Sequence, residues 1–215
     1  MPIERSGRRK YSKKDLGPVE WYFSDLITIT SATGVGGTST LNYFREKYKN
    51  DPKRRFNSAG ELVAEFAKLS GMSKPEFNTY MTEHPEEDWD HRIDSRQASW
   101  GNQNYSMNES RLAHILANHA FHVLLICPVM VCAERRAKDE RTTVEYQLER
   151  IARRDRENKE RYDRLYPGWE WPYEDYDLVV SSQQLRTWQI CERIEAMHAN
   201  WRANMPSQMI RTVAP

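Results

Sequence analysis

The chain has 215 residues, and its 32 lysines and arginines nearly balance 31 aspartates and glutamates, which leaves a formal net charge of +1. That balance argues against a protein that binds nucleic acid over its whole surface, because such a protein carries a clear basic excess. The length favours one domain with one sizeable core. Three cysteines without metal-site spacing and no apolar run near 18 residues predict a cytoplasmic protein that does not span a membrane.

Positive charge is concentrated at the amino terminus. Residues 1–14 hold six basic side chains and one acidic side chain, so they carry +5 and the rest of the chain carries −4. We therefore expect a basic, flexible arm over residues 1–20 and a single domain over residues 21–215. A solubilising tail is the simpler interpretation of this arm, and contact of residues 1–14 with RNA or another anionic partner is the alternative.

The first buried element is the β-branched run 26–30, which predicts a strand. Three of the nine glycines in the chain follow within four residues, at Gly34, Gly36 and Gly37. A helix is expected next, with 38–40 as its cap and with apolar side chains spaced at Leu41, Phe44 and Tyr48. The predicted order is therefore strand, glycine loop and helix.

The rest of the chain alternates between the two kinds of element. Further strands are predicted over 54–58, 122–127 and 177–180. Helices are predicted over 59–70 and 74–83, from Pro85 through Arg96, in the highly charged stretch 133–166, and after the last strand. This alternation predicts a three-layer α/β fold with a parallel sheet.

A glycine loop between a strand and a helix can hold phosphate oxygens with its backbone N–H groups, aided by the helix amino terminus. The common pattern is G-x-x-x-x-G-K-[ST], and the stretch from Ser31 to Thr38 reads S-A-T-G-V-G-G-T, with Gly37 in place of the lysine. A tight turn without a ligand is the alternative interpretation. We expect Thr38 to contact Mg²⁺. The residues predicted to bind the ATP phosphates are Gly34, Val35, Gly36, Gly37, Thr38 and Ser39.

Arginines in the charged stretch could supply the positive charge that the absent lysine would have provided. Arg154, Asn158 and Arg161 lie at i, i+4 and i+7 and so share one helix face, which Arg150 extends by one turn. Such a face could close over polyphosphate as a lid, and a solvated helix surface is the other interpretation.

Several separated segments, taken in order, resemble the cytidylate kinase family of nucleoside-monophosphate kinases, and in particular its archaeal-type branch. They are ITITSATGVGGTSTL, the S-A-G-E at 58–61, the I-D-S-R-Q at 93–97, the E-S-R-L-A at 109–113, the pair ICPVMVCAERRAKDE and RRDRENKERYDRLY, and YDLVVSS. No single segment is specific, but their order and spacing together are.

The resemblance implies a P-loop NTPase fold with a five-stranded parallel sheet in the order 2-3-1-4-5. It implies a helical acceptor-binding insert over 58–104 and a helical lid over 134–166. It also implies transfer of the γ-phosphoryl group of ATP, with Mg²⁺, to a nucleoside monophosphate such as CMP or dCMP. Ser58, Arg96 and Arg111 would hold the monophosphate, while Arg154 and Arg161 would reach the transferring phosphoryl group from the lid.

The chain departs from the family pattern at three places. Ser110 replaces a glycine, Ala64 stands where an arginine is usual, and Asn158 replaces an acidic lid residue. Together with Gly37 in the loop, these departures leave two alternatives open. The protein could bind nucleotides without catalysing transfer, or it could be a small-molecule kinase with a different acceptor.

Overall fold

The computed structural model describes residues 22–117 and 119–211. The expected basic arm, residues 1–20, lies outside this part of the chain. The strands are β1 (Tyr22–Phe23), β2 (Ile27–Ser31), β3 (Arg55–Ser58), β4 (Ser106–Glu109), β5 (Phe121–Ile126), β6 (Leu178–Ser181) and β7 (Ile210–Arg211). The α-helices are α1 (Gly37–Lys47), α2 (Ala59–Leu69), α3 (Lys74–Glu83), α4 (Trp89–Trp100), α5 (Ala113–Leu116), α6 (Val129–Glu140), α7 (Val144–Leu165) and α8 (Thr187–Asn204).

Five of the strands form a parallel sheet, in the spatial order β3-β4-β2-β5-β6. When these five strands alone are numbered along the chain, the order is 2-3-1-4-5, as the resemblance implied. Strand β2 is central and is buried along its whole length, which suits the β-branched run that forms it. Because β2 leads into the glycine loop, that loop lies at the carboxyl edge of the sheet, where ligands bind in open α/β folds.

Two parts of the sheet structure were not expected from residue patterns. Strand β4 has the polar sequence S-M-N-E, so residue patterns do not predict it as a strand. Its residues Ser106, Met107 and Asn108 are nevertheless buried between β3 and β2. The two-residue strands β1 and β7 pair with each other, apart from the main sheet. The strands predicted over 54–58 and 122–127 are confirmed, with ends that differ by one residue.

The helices pack in two groups. Helices α1 and α8 contact each other and the sheet, over a core that includes Leu41, Phe44 and Ile194. Helices α2, α3 and α4 surround a second apolar cluster built on Phe77 and Met81. Within the described residues, no helix has both the length and the apolar character needed to cross a membrane.

Three predicted helix boundaries differ in the structure. Helix α1 begins at Gly37 after Gly36, rather than after a cap at 38–40. The helix expected from Pro85 is a short 3₁₀ turn over Pro85–Glu87 followed by α4. The charged stretch 133–166 forms two helices, because Arg141 adopts a left-handed conformation and the Thr143 side chain caps α7 by accepting from the Tyr146 N–H.

Candidate active site

A cavity of about 760 Å³ opens at the carboxyl edge of the sheet. Its floor is the glycine loop and the start of α1, from Ser31 to Ser39. One end is enclosed by α2, α3 and α4 together with the face of α7 that carries Arg154, Asn158 and Arg161, and the other end is bounded by α6 and the residues after β6. The cavity is therefore lined by two groups of elements, one on either side of the glycine loop.

The glycine loop takes a conformation that only glycine adopts easily. Gly34 has φ = +82° and Gly36 has φ = +113°. Gly36 is the residue before α1, and no side chain caps the first turn of that helix. The first N–H groups of α1, at Gly37, Thr38 and Ser39, therefore remain available for an anion, in the field of the helix dipole.

Gly37, in the place of the expected lysine, is packed against two polar side chains. A Cβ atom at this position would lie 2.3 Å from Ser31 Oγ and 2.9 Å from Glu109 Oε1. Because contacts below 3.0 Å require movement, the backbone here admits no larger side chain unless Ser31 or Glu109 shifts. The packing beneath the loop therefore leaves no room for a lysine side chain at position 37.

Two cations face the cavity without a counter-ion. Neither the Lys74 ammonium nor the Arg154 guanidinium forms an ion pair or a side-chain hydrogen bond with any residue in 22–117 or 119–211. Burial lowers the pKa of Lys74, and repulsion from Arg154 lowers that pKa further. Burial also lowers the pKa of Arg154, with a second contribution from Arg111. The two positive charges therefore repel each other in a buried environment, which is energetically unfavourable. A bound anion would offset this cost.

Arg111 lies at the junction of the loop and α7. Its guanidinium donates to Thr33 Oγ1 in the glycine loop and to the Asp155 carboxylate on α7. Thr33 also donates to Asp155, at 3.2 Å. Asp155 therefore joins both Arg111 and the loop to α7. An arriving phosphate would compete with this carboxylate for Arg111 or share Arg111 with it.

Arg161 is placed more rigidly than Arg154. Its side chain is only 6% exposed, and its Nε lies 3.3 Å from Asp90 Oδ1. It also donates to Asn158 Oδ1 at 3.2 Å. The predicted stripe of Arg154, Asn158 and Arg161 does line the cavity, whereas Arg150 pairs with Glu140 and is not among the lining residues.

Ser58 lies beneath the cavity and is not part of its lining. The Ser58 hydroxyl is buried and donates to Glu109 Oε2 at 2.8 Å. Burial raises the pKa of Glu109, while the Ser58 bond and the charge of Lys74 act in the opposite direction. Ser58 therefore orients Glu109 in this structure, and the expected contact of Ser58 with the monophosphate stays a prediction.

Arg96 is not among the residues that line the cavity, and its expected contact with the monophosphate stays a prediction. Its side chain is exposed on α4, while Asp94 and Gln97 of the same helix are buried in the cavity wall. Asp94 and Gln97 are three positions apart and share a helix face, whereas Arg96 is two positions after Asp94 and points about 160° away from it around the axis. The I-D-S-R-Q segment therefore does reach the cavity wall, but Asp94 and Gln97 face the cavity and Arg96 does not.

Asp94, Gln97 and Lys74 are site residues that sequence reasoning missed. Asp94 accepts from the Tyr166 hydroxyl and, at 3.2 Å, from Gln97 Nε2. Burial raises the pKa of Asp94 to about 7. The i, i+3 spacing of Asp94 and Gln97 was a usable signal, whereas nothing in the local pattern around Lys74 indicated that α3 reaches the loop.

The opposite end of the cavity carries three further arginines. Arg135 on α6 donates to the carbonyl oxygens of Ser182 and Gln183 at 2.7 and 2.8 Å. Arg136 pairs with Glu140 at 2.6 Å, and Arg186 is exposed at the start of α8. This end therefore has basic side chains at its rim, close to the loop that follows the last strand of the sheet.

A five-stranded parallel sheet with a phosphate-type glycine loop after its central strand is the fold of the P-loop class of nucleotide-binding proteins. No family model matches the chain. The cytidylate kinase of Pyrococcus horikoshii is 32% identical over 160 residues, which cover 74% of this chain and 80% of that protein. The cytidylate kinase of Methanocaldococcus jannaschii is 32% identical over 164 residues, which cover 74% and 89% of the two chains. The chain belongs to the cytidylate kinase family.

One solved structure adds evidence on the fold. A protein described as uncharacterized, from Eubacterium ventriosum, superposes with a TM-score of 0.58 at 17% identity, over 82% of this chain and 99% of that one. At this identity the likeness concerns the fold alone. It agrees with the α/β architecture described above.

Proposed function

We propose that this protein transfers the γ-phosphoryl group of ATP to a nucleoside monophosphate, with CMP or dCMP as the acceptor. The observation that carries the proposal is the pair of unpaired cations, Lys74 and Arg154, which face a cavity floored by uncapped helix N–H groups. Such an arrangement stabilises a polyanion and is unfavourable when empty. Membership of the cytidylate kinase family supports CMP as the first acceptor to test.

The two substrates would enter from opposite ends of the cavity. The acceptor would lie between α2, α3, α4 and α7, with its phosphate towards Arg111 and Lys74. ATP would lie with its phosphates on the loop from Gly34 to Ser39 and its base towards the β6–α8 segment. The transferring phosphoryl group would then be adjacent to Arg154 on α7.

The chemistry asks for alignment and charge neutralisation rather than a strong base. The attacking oxygen of a monophosphate is already anionic, so no side chain has to remove a proton from it. Arg111, Lys74 and Arg154 would orient the two phosphates and spread the negative charge of the transition state. Helix α7 would keep water away from the phosphoryl group, which favours transfer over hydrolysis.

The residues around the loop fit a magnesium ion held jointly with the nucleotide. Thr38 presents an exposed hydroxyl at the start of α1, and Glu109 Oε1 lies beneath Gly37. One or two protein oxygens are enough for Mg²⁺ when phosphates and water supply its other ligands. When bound, Mg²⁺ would supply positive charge to the phosphate oxygens.

A coupled ADP-release assay tests this function. Purified protein is supplied with Mg²⁺-ATP and, in separate reactions, with CMP, dCMP, UMP, AMP, GMP or shikimate. The proposal expects turnover with CMP or dCMP well above the rate without acceptor. Saturable ATP binding with no acceptor-dependent turnover would instead favour a nucleotide-binding protein, and turnover on shikimate alone would favour a different acceptor class.

A further inference from the structure

The acceptor end of the cavity contains one buried polar atom without a partner. Gln97 is only 6% exposed, and its Oε1 forms no hydrogen bond with any of the residues described. A buried acceptor left in this state is unfavourable, and native structures rarely retain one without a reason. Gln97 is among the residues that line the cavity, so its amide lies next to the space that a ligand would occupy.

The orientation of the Gln97 amide is set by its neighbour. Gln97 Nε2 donates to Asp94 Oδ1 at 3.2 Å, and the second oxygen of Asp94 accepts from the Tyr166 hydroxyl. A flipped amide would place the Gln97 oxygen against the Asp94 carboxylate, where two acceptors repel. The unpaired polar atoms of this amide are therefore the acceptor Oε1 and the second hydrogen of Nε2.

Apolar side chains accompany Gln97 in the lining of the cavity. They include Val63 on α2 and Ile93 on α4. Apolar walls with a few directional polar groups are typical of sites for planar ligands. A pyrimidine base placed here would have its polar edge towards Gln97.

We propose that Gln97 selects an amino-pyrimidine base in the acceptor, with Oε1 accepting from the 4-amino group and Nε2 donating to ring N3. This inference rests on the proposed function and adds the residue that distinguishes cytosine from uracil. Uracil presents an oxygen and an N–H in the same two places, so both contacts would be mismatched. Asp94 is the positioning residue, because it holds the amide in the orientation that favours cytosine.

Equilibrium binding to the wild-type protein gives the first test. CMP, UMP and a CMP analogue with hydrogen in place of the 4-amino group are titrated at pH 8, above the pKa of about 7 to which burial raises Asp94. We expect UMP and the analogue each to bind about 10- to 100-fold more weakly than CMP. Equal affinities for the three ligands would overturn the inference, and no variant is needed to reach that result.

Variants give the second test. Gln97→Met is expected to weaken CMP binding about 10- to 100-fold while leaving UMP within about threefold. Asp94→Asn is expected to narrow the CMP to UMP ratio by strengthening UMP, because an asparagine amide can donate to a flipped Gln97. The matched control is Gln208→Met, at an exposed position in the 3₁₀ turn Ser207–Met209. An unchanged ratio in folded Gln97→Met would contradict the role of Gln97.

The proposed function and the selectivity inference fail in different ways. Absence of phosphoryl transfer to any monophosphate would refute the function, whereas the binding ratios report on Gln97 whether or not turnover occurs. Turnover of CMP and UMP at equal efficiency, with equal affinities, would leave the function standing and remove Gln97 from specificity.

Discussion

Replacement of Lys74 by methionine tests whether the missing lysine of the glycine loop is compensated from α3. Methionine keeps most of the side-chain volume and removes the charge. The Lys74 Nζ reaches to within 3.1 Å of where a Cβ on Gly60 would lie, and its charge interacts with those of Glu109 and Arg154. The cation is therefore close to the carboxylate that lies beneath Gly37.

The magnitude follows from the contact that would be lost. A unit charge about 4 Å from a phosphate oxygen is worth about 4 kcal/mol at an effective dielectric constant of about 20. The net loss on removing one charged hydrogen-bond partner is smaller, about 1.5–3 kcal/mol. At about 1.4 kcal/mol per factor of ten, Lys74→Met should lower kcat/KM by about 10- to 150-fold.

Unlike the activity, the thermal stability of Lys74→Met should not fall. Burial lowers the pKa of Lys74, so the folded state disfavours its charged form, and removing the ammonium also relieves repulsion with Arg154. The melting temperature of Lys74→Met should stay level or rise while activity falls. Lys68→Met, at an exposed position on α2, is the matched control and should leave both quantities unchanged.

The assay is steady-state ADP release with varied CMP, together with thermal unfolding of the same preparations. A kcat/KM for Lys74→Met within about threefold of wild type would refute the assignment of this cation to the phosphates. A melting temperature that falls in step with activity would refute the reasoning as well, because it would make Lys74 a structural residue.

Three further variants test the site. Gly37→Ala should lower the free energy of unfolding by about 1–3 kcal/mol, because its Cβ would lie 2.3 Å from Ser31 Oγ, and Ser31→Ala in the same chain should recover part of that loss in urea titrations. Full stability of the single variant would contradict the packing under the loop. Arg154→Met should lower kcat by about tenfold or more with an unchanged melting temperature, and an unchanged kcat would exclude Arg154 from the phosphoryl group. The free energy of unfolding should fall less between pH 4 and pH 8 in Asp94→Asn than in the wild-type protein. Burial raises the pKa of Asp94 to about 7, so between about pH 4 and pH 7 the folded state keeps a proton that the unfolded state has released, and wild-type stability falls as pH rises over this range. Identical pH profiles for the two proteins would rule out Asp94 as the source.

Much of the fold could be predicted from short-range patterns. The β-branched run of β2, the three glycines and the spacing of Leu41 and Phe44 specify strand, loop and helix without help from distant contacts. Strand β4 could not be found in this way. Its side chains are polar, and it becomes a strand because it pairs with β3 on one side and β2 on the other.

The candidate site was only partly predictable for a similar reason. Helical spacing indicated that Arg154 and Arg161 share a face, and the structure places both in the cavity wall. Helical spacing also separates Arg96 from Asp94 and Gln97, because Asp94 and Gln97 face one way and Arg96 the other. Which face is buried is decided by packing between helices, and this information is absent from the local sequence.

Transfer of label from [γ-³²P]ATP in the presence of CMP and Mg²⁺, with separation of the products, tests the central claim most directly. The account predicts that the label appears in CDP at a rate that depends on CMP, and that little appears as inorganic phosphate, because the cavity aligns two phosphates and α7 excludes water. Label that stays in ATP, or that is released only as inorganic phosphate, would contradict the account.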